Sequence, residues 1–210
     1  MEIKSTSKIN IGLHVHNQRS DGFHNISTLF QEINLCDQIK IIEDKNFSCT
    51  TNCGTIIEKD NFGTTAFNII KAQYPDIPNV RISIKKIIPT NAGLGGGSSN
   101  GTAVLMGLNN LFKLKLSNQK LSKMASKVSS DSTFFVNGGL QFGTHRGETL
   151  EIIQNIKIPK HILLVHPGIK ISTKEAFGHL KNHLLNENMD INLSQLLREL
   201  NNYSFNSKLF

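Results

Sequence analysis

The reading of this chain turns on Pro89-Thr90-Asn91-Ala92-Gly93-Leu94-Gly95-Gly96-Gly97-Ser98-Ser99. On its N-terminal side Val80, Ile82 and Ile84 alternate with polar residues, which predicts a strand near Val80–Ile87. On its C-terminal side Val104, Leu105, Leu108, Leu111 and Phe112 share one helical stripe, which predicts a helix over Ser99–Phe112. The glycines therefore join a strand to a helix. Four glycines between Gly93 and Gly97 let the backbone turn its N–H groups inward, and the helix start adds unpaired donors and the positive end of its dipole. Such a loop is an anion cradle. Ser98 and Ser99 can cap the helix, or offer hydroxyls to phosphate or magnesium.

A Gly/Ser loop before a helix can also be no more than a flexible connection. The surroundings favour phosphate. From Ile77 to Ser130 there is no carboxylate, while Arg81, Lys85, Lys86, Lys113, Lys115, Lys120, Lys123 and Lys127 are all cationic. The lysines from Lys113 onward also fit a solvated helical face, whereas Lys85 and Lys86 directly precede the loop. Two common phosphate loops are excluded. No Gly-Lys-Ser/Thr follows at Walker A spacing, and a GxGxxG opened by Gly93 would have Ser98 in its last glycine position. The first carboxylate after the loop is Asp131, too far on to serve a dinucleotide ribose.

Further from the loop, alternation at Ile9, Ile11, Leu13 and Val15 predicts a strand that ends at the turn Arg19-Ser20-Asp21-Gly22. Separate strands are predicted near Ile26–Ile33, Gln38–Glu43, Gly139–Phe142 and His161–Val165. Helices are predicted over Asn61–Gln73, Leu116–Lys127, Thr173–Leu185 and Leu193–Leu200. Strands and helices without a regular βαβ rhythm indicate an α+β protein, with a boundary in the polar stretch Gln154–Lys160.

The chain has 210 residues, of which 38% are hydrophobic, enough for a core without disulfide or metal staples. A net charge of +7 points to an anionic partner, although 19 lysines against 4 arginines suggest that composition supplies part of it. Between Arg81 and Lys127 the only aromatic is Phe112, on the apolar stripe, so no stacking platform for nucleic acid accompanies the charge. No apolar run is long enough for a membrane span, and Met1 to Lys8 lacks the apolar stretch of a signal peptide. Cys36, Cys49 and Cys53 make an odd number, and Cys49/Cys53 has no second pair to complete a zinc site. The expectation is a cytoplasmic protein with no nucleic-acid or membrane partner and no metal site of its own.

Pro89–Ser99 resembles the glycine-rich ATP-binding motif of the GHMP kinases. Ser7-Lys8-Ile9-Asn10-Ile11-Gly12-Leu13, Arg19-Ser20-Asp21-Gly22-Phe23-His24 and Thr28-Leu29-Phe30-Gln31 are similar to the diphosphocytidyl-methylerythritol kinases within that superfamily. Asp131–Phe135 with Gly147-Glu148, and His166-Pro167-Gly168 with Thr173 and Phe177, extend the similarity in the same order. The resemblance implies the GHMP kinase fold. Residues 1–156 would form the ATP-binding and catalytic domain, ribosomal-protein-like in fold, and residues 157–210 an incomplete C-terminal α+β domain.

It also implies ATP-dependent phosphorylation of the alcohol of a cytidine-diphosphate substrate, with ATP and Mg²⁺ as cofactors, in non-mevalonate isoprenoid biosynthesis. Asp131 would be the catalytic base and Lys8 the cation that orients it. Pro89, Gly93, Leu94, Gly95, Gly96, Gly97, Ser98 and Ser99 would hold the ATP phosphates, with Asn61 and Lys86 facing the adenine. Phe23 and Phe177 would stack on the cytosine and His24 would bind its edge. Asn10 and Thr173 would contact the sugar–diphosphate or erythritol part.

The chain departs from the family pattern in two places. Ser129 stands where the third motif begins with Gly, and Thr133 where it has Pro, which bears on the placing of Asp131. The family's second glycine-rich motif does not occur before Phe210, so the sequence is expected to be a fragment or a truncated relative, with apolar surface exposed from Leu163 onward. A truncated relative that binds ligand without catalysis is the alternative this leaves.

Overall fold

Two long antiparallel strands, β1 (Glu2–Gln18) and β2 (His24–Glu43), form the spine of the sheet. The computed structural model describes residues 1–54, 56–154 and 161–168. The two strands predicted over Ile26–Ile33 and Gln38–Glu43 are one. Asp37, which reads as a breaker, pairs opposite Ser5, and an irregularity between Ser5 and Ser7 absorbs the change of register. A second irregularity, between Ile11 and Leu13, falls at Gly12, whose φ of 70° suits a bulge residue without a Cβ.

β3 (Ser48–Thr51), β4 (Val80–Lys85), β5 (Leu140–Thr144) and β6 (Thr149–Ile152) complete a sheet ordered β3-β4-β2-β5-β6, with β1 paired to β2. Among the described strands only β3 and β4 run parallel. β3 and β6 span four residues each, too short for alternation to reveal them. β4 shows the pattern fully: Val80, Ile82 and Ile84 are buried, while Arg81, Ser83 and Lys85 are exposed.

The helices cover that buried face. α1 (Phe62–Gln73) starts at Asn61, whose side chain accepts a hydrogen bond from Gly63 N–H. α2 (Gly96–Leu111) begins three residues earlier than predicted, inside the glycine run, and α3 (Asn118–Ala125) is capped by Ser117. A 3₁₀ turn over Ser130–Thr133 leads into α4 (Phe134–Asn137). Ile39, Ile41, Ile82 and Ile84 of the sheet pack with Ala66, Phe67 and Ile70 of α1 and Val104, Leu105 and Leu108 of α2. Close packing of α2 requires Gly101, where a Cβ would meet Val128 at 2.7 Å. Burial pushes the Cys49 thiol up to about 11, so this residue behaves as a small apolar filler. Lys113, Lys115, Lys120, Lys123 and Lys127 lie exposed at the surface.

No strand forms near His161–Val165, contrary to the pattern. A strand needs a neighbour to close its backbone hydrogen bonds, and no described strand pairs with this segment. Leu163 is 89% and Val165 77% exposed. The predicted helices over 173–185 and 193–200, with Thr173 and Phe177, lie outside the described residues. Among the described residues no helix is long and apolar enough to cross a membrane.

Candidate active site

The glycine loop enters α2 through Gly95, whose φ of 68° is left-handed and which offers no side-chain cap. The first N–H groups of α2 therefore lack the usual capping acceptor, and no acidic residue stands in the first turn. Gly95 and Gly96 are also sterically required, and Gly97 is closely packed. A Cβ at Gly95 would lie 2.9 Å from the Phe135 ring, one at Gly96 2.9 Å from Ile88, and one at Gly97 3.1 Å from the Phe62 ring. Gly93 differs, with a φ of 73° but open space around it. Leu94 is buried, and its carbonyl accepts a hydrogen bond from Lys8 N–H at 3.0 Å.

Lys8 connects this loop to Asp131. Its ammonium lies 3.6 Å from the Asp131 carboxylate, donates to Asn10 Oδ1 at 2.6 Å and sits 5.2 Å from the Phe30 ring centroid. The lysine side chain is 8% exposed and the aspartate 36%, so a nearly buried cation stands behind an acid open on one side. Asn10 donates in turn to Thr28 Oγ1 at 2.9 Å. The turn that carries Asp131 is fastened to α2 by hydroxyls: Thr102 Oγ1 donates to the Ser132 carbonyl at 2.7 Å, and Ser129 Oγ donates to Ser98 Oγ at 2.8 Å.

At the far end of the β1–β2 hairpin, Arg19 N–H donates to the Phe23 carbonyl at 2.7 Å and Gly22 N–H to the Arg19 carbonyl at 3.1 Å. The Asp21 carboxylate accepts from Arg19 Nε and from Phe23 N–H. The Arg19 guanidinium holds the Asp21 carboxyl below its usual range, partial desolvation opposing it. This turn leaves the Phe23 ring 53% exposed beside buried His24. The Arg146 guanidinium carbon lies 5.0 Å from the Phe23 ring centroid. Arg146 was not singled out from sequence; its only signal is its place directly before Gly147-Glu148.

Lys86 and Asn61 both have partners inside the protein. Asn61 caps α1, while the Lys86 ammonium makes a buried ion pair with Asp37 and donates to Asn100 Oδ1 at 2.9 Å. Asp37 is fully buried and also accepts from Ile87 N–H at 2.6 Å, Ile88 N–H at 2.9 Å and Asn100 Nδ2 at 2.9 Å. One carboxylate thus ties β2 to the entry of the glycine loop and to the first turns of α2. Sequence reading missed it because an acid inside an apolar strand pattern looks like a break between two strands.

Residues 61–140 match the family described as GHMP kinases N terminal domain. The 4-diphosphocytidyl-2-C-methyl-D-erythritol kinase of Prochlorococcus marinus is 35% identical over 99% of this chain and 70% of its own length. That of Persephonella marina is 33% identical over 91% of this chain and 70% of its own. A solved 4-(cytidine 5'-diphospho)-2C-methyl-D-erythritol kinase superposes with a TM-score of 0.64 and 29% identity, covering 73% of this chain and 55% of that one. Mevalonate kinase of Methanococcus jannaschii, at 14% identity and a TM-score of 0.54, shares the fold. A glycine loop at an uncapped helix start, joined through Lys8 to Asp131, is accompanied by sequence similarity over nearly the whole chain, and the chain belongs to the 4-diphosphocytidyl-2-C-methyl-D-erythritol kinase family, small-molecule kinases of the GHMP superfamily.

Proposed function

We propose that the chain transfers the γ-phosphoryl group of ATP to the alcohol of 4-diphosphocytidyl-2-C-methyl-D-erythritol, a step of non-mevalonate isoprenoid biosynthesis. The observation that carries this reading is the position of Lys8, whose backbone binds the glycine loop while its ammonium faces Asp131. Residues 1–156 act as the nucleotide-binding and catalytic domain, and residues 157–210 as the start of a second domain. The site works on a small nucleotide in the cytoplasm.

Phosphoryl transfer depends on positioning and on neutralising charge, and the residues divide between these tasks. The loop from Pro89 to Ser99 presents its N–H groups and hydroxyls to the phosphates. Asp131 accepts the proton of the attacking hydroxyl as that oxygen bonds to the γ-phosphorus and the bond to the β-phosphate oxygen breaks, releasing ADP. Lys8 orients Asp131 and offsets charge on the transferred group. Mg²⁺ would neutralise phosphate charge when bound. Among the described residues no group of three or more His, Cys, Asp or Glu side chains gathers to hold a metal. When bound, the ion would be held mainly by the nucleotide phosphates and its own waters. Phe23 stacks on the cytosine, His24 reads its edge, and Asn10 contacts the sugar–diphosphate or erythritol part. Thr173 and Phe177 complete the substrate side.

Turnover of ATP by the full chain with 4-diphosphocytidyl-2-C-methyl-D-erythritol, beside homoserine and mevalonate, tests the assignment. Phosphorylation of the first alone is the expected result. Equal transfer to either control overturns the substrate, and no transfer to any overturns the activity. For the loop, Gly93→Asp is a cleaner probe than a change at Gly96, because Gly93 faces open space and Asp tolerates a left-handed backbone. Gly93→Asp should weaken ATP binding at least about tenfold by calorimetry, while the uncharged Gly93→Asn stays closer to wild type. For the base, Phe23→Ala should weaken substrate affinity by about 1–3 kcal/mol, the range for one base–aromatic stack, and leave ATP affinity unchanged. Equal losses for both ligands would make Phe23 a structural residue.

A further inference from the structure

The two loop serines end two separate chains of buried hydrogen bonds. In one, Asn100 Nδ2 donates to Ser5 Oγ at 2.9 Å, and Ser5 Oγ donates to Ser99 Oγ at 2.7 Å. In the other, Ser129 Oγ donates to Ser98 Oγ at 2.8 Å, and Ser129 Oγ lies 2.6 Å from Ser132 Oγ. A serine hydroxyl has one hydrogen. Since Ser129 gives its own to Ser98, the Ser129–Ser132 contact requires Ser132 to donate, its hydrogen shared between Ser129 Oγ and the Ser98 carbonyl at 3.2 Å. Both chains therefore run in one direction, toward the loop. Ser5, Ser99 and Asn100 are at most 3% exposed, Ser132 is fully buried, Ser98 is 9% exposed and Ser129 is half-buried, so water has little access to either chain.

Each chain fills an acceptor position on a loop hydroxyl. Ser98 and Ser99 are left with their own hydrogens, and no described protein group accepts from either. Chains of hydroxyls polarise one another, which makes the last member a better donor. We propose that Ser129 and Ser5 are positioning residues that fix the Ser98 and Ser99 hydroxyls as hydrogen-bond donors to the phosphates of the bound nucleotide. Ser129 has a second effect, because the same hydroxyl cluster ties the turn bearing Asp131 to the first turn of α2. A phosphate that engages Ser98 thereby engages the support of Asp131. The inference rests on the assignment of the loop to ATP.

The test uses Ser129→Ala, Ser5→Ala and Ser129→Thr in the full chain, with ATP and adenosine as paired probes. Adenosine carries the base and ribose but no phosphate, so a defect confined to phosphate recognition leaves its affinity unchanged. The expected result is an ATP dissociation constant raised about tenfold in each alanine variant, the scale of one hydrogen bond to a charged group. Adenosine affinity and the thermal midpoint should stay near wild type in Ser129→Ala, and Ser129→Thr, which keeps the hydroxyl, should restore ATP binding. Unchanged ATP affinity in both alanine variants overturns the proposal. Equal loss for ATP and adenosine also overturns it, because the hydroxyls would then support structure only. A wild-type chain that binds no ATP removes the loop assignment itself, a failure distinct from wild-type binding with indifferent variants.

Discussion

Asp131→Asn lowers turnover about 10²–10⁴-fold while binding of ATP and of the alcohol substrate survives, the range expected when a positioned general base is removed. Asparagine keeps the shape of the side chain and its place in the 3₁₀ turn, but it has no oxygen basic enough to accept the hydroxyl proton. The turn itself is held by Thr102 donating to the Ser132 carbonyl and by the Ser98–Ser129–Ser132 hydroxyls, none of which uses the Asp131 carboxylate. The loss should therefore appear in kcat with little change in KM. Lys8→Ala should also lower turnover, since it removes the cation 3.6 Å from the acid. The double variant should lose less than the product of the single losses, because groups that act as a unit are not additive. Steady-state kinetics on the four proteins checks this. Near-normal turnover in Asp131→Asn would return the segment from Ser129 to Thr133 to a structural turn.

The largest effect on stability is expected at Asp37. Asp37→Ala leaves the Lys86 ammonium, Asn100 Nδ2 and the N–H groups of Ile87 and Ile88 without their shared acceptor in a fully buried position. Breaking a buried ion pair from one side costs about 3–5 kcal/mol, because the remaining charge is stranded away from water. That is a large share of the ~5–15 kcal/mol by which domains are stable. The urea midpoint should fall accordingly. Asp37→Asn, which keeps an oxygen acceptor, should fall less. A change under about 1 kcal/mol in Asp37→Ala would mean that solvent reaches Lys86 and that the loop entry is held by other contacts.

The site was legible in sequence to the extent that its chemistry is local. The glycines between Gly93 and Gly97, the strand before them and the apolar stripe after them lie within about one loop and two elements, and periodicity reads such a stretch directly. The roles proposed for Lys8 and Asp131 are not readable from periodicity, since each by itself is an ordinary surface lysine or a helix-capping acid. They came from ordered resemblance across the chain, and the fold then brings the two side chains to 3.6 Å.

Local pattern was sufficient for α1, α2, α3, β4 and the strand character of β1, because each shows its own periodicity and α1 and α3 carry their own caps. Only tertiary structure decided what depends on a partner distant in the chain. β2 runs through Asp37 because β1 supplies a paired strand and the carboxylate finds four donors from two other segments. β3 and β6 exist because β4 and β5 offer edges to four-residue runs that would not be strands alone. The segment His161–Val165 has strand-forming residues but no described neighbour, and forms none. The hydroxyl chains through Ser5 and Ser129 join residues 94 and 31 positions apart. A serine has no periodicity and little preference of its own, so its direction as a donor is set only by what the fold places against it.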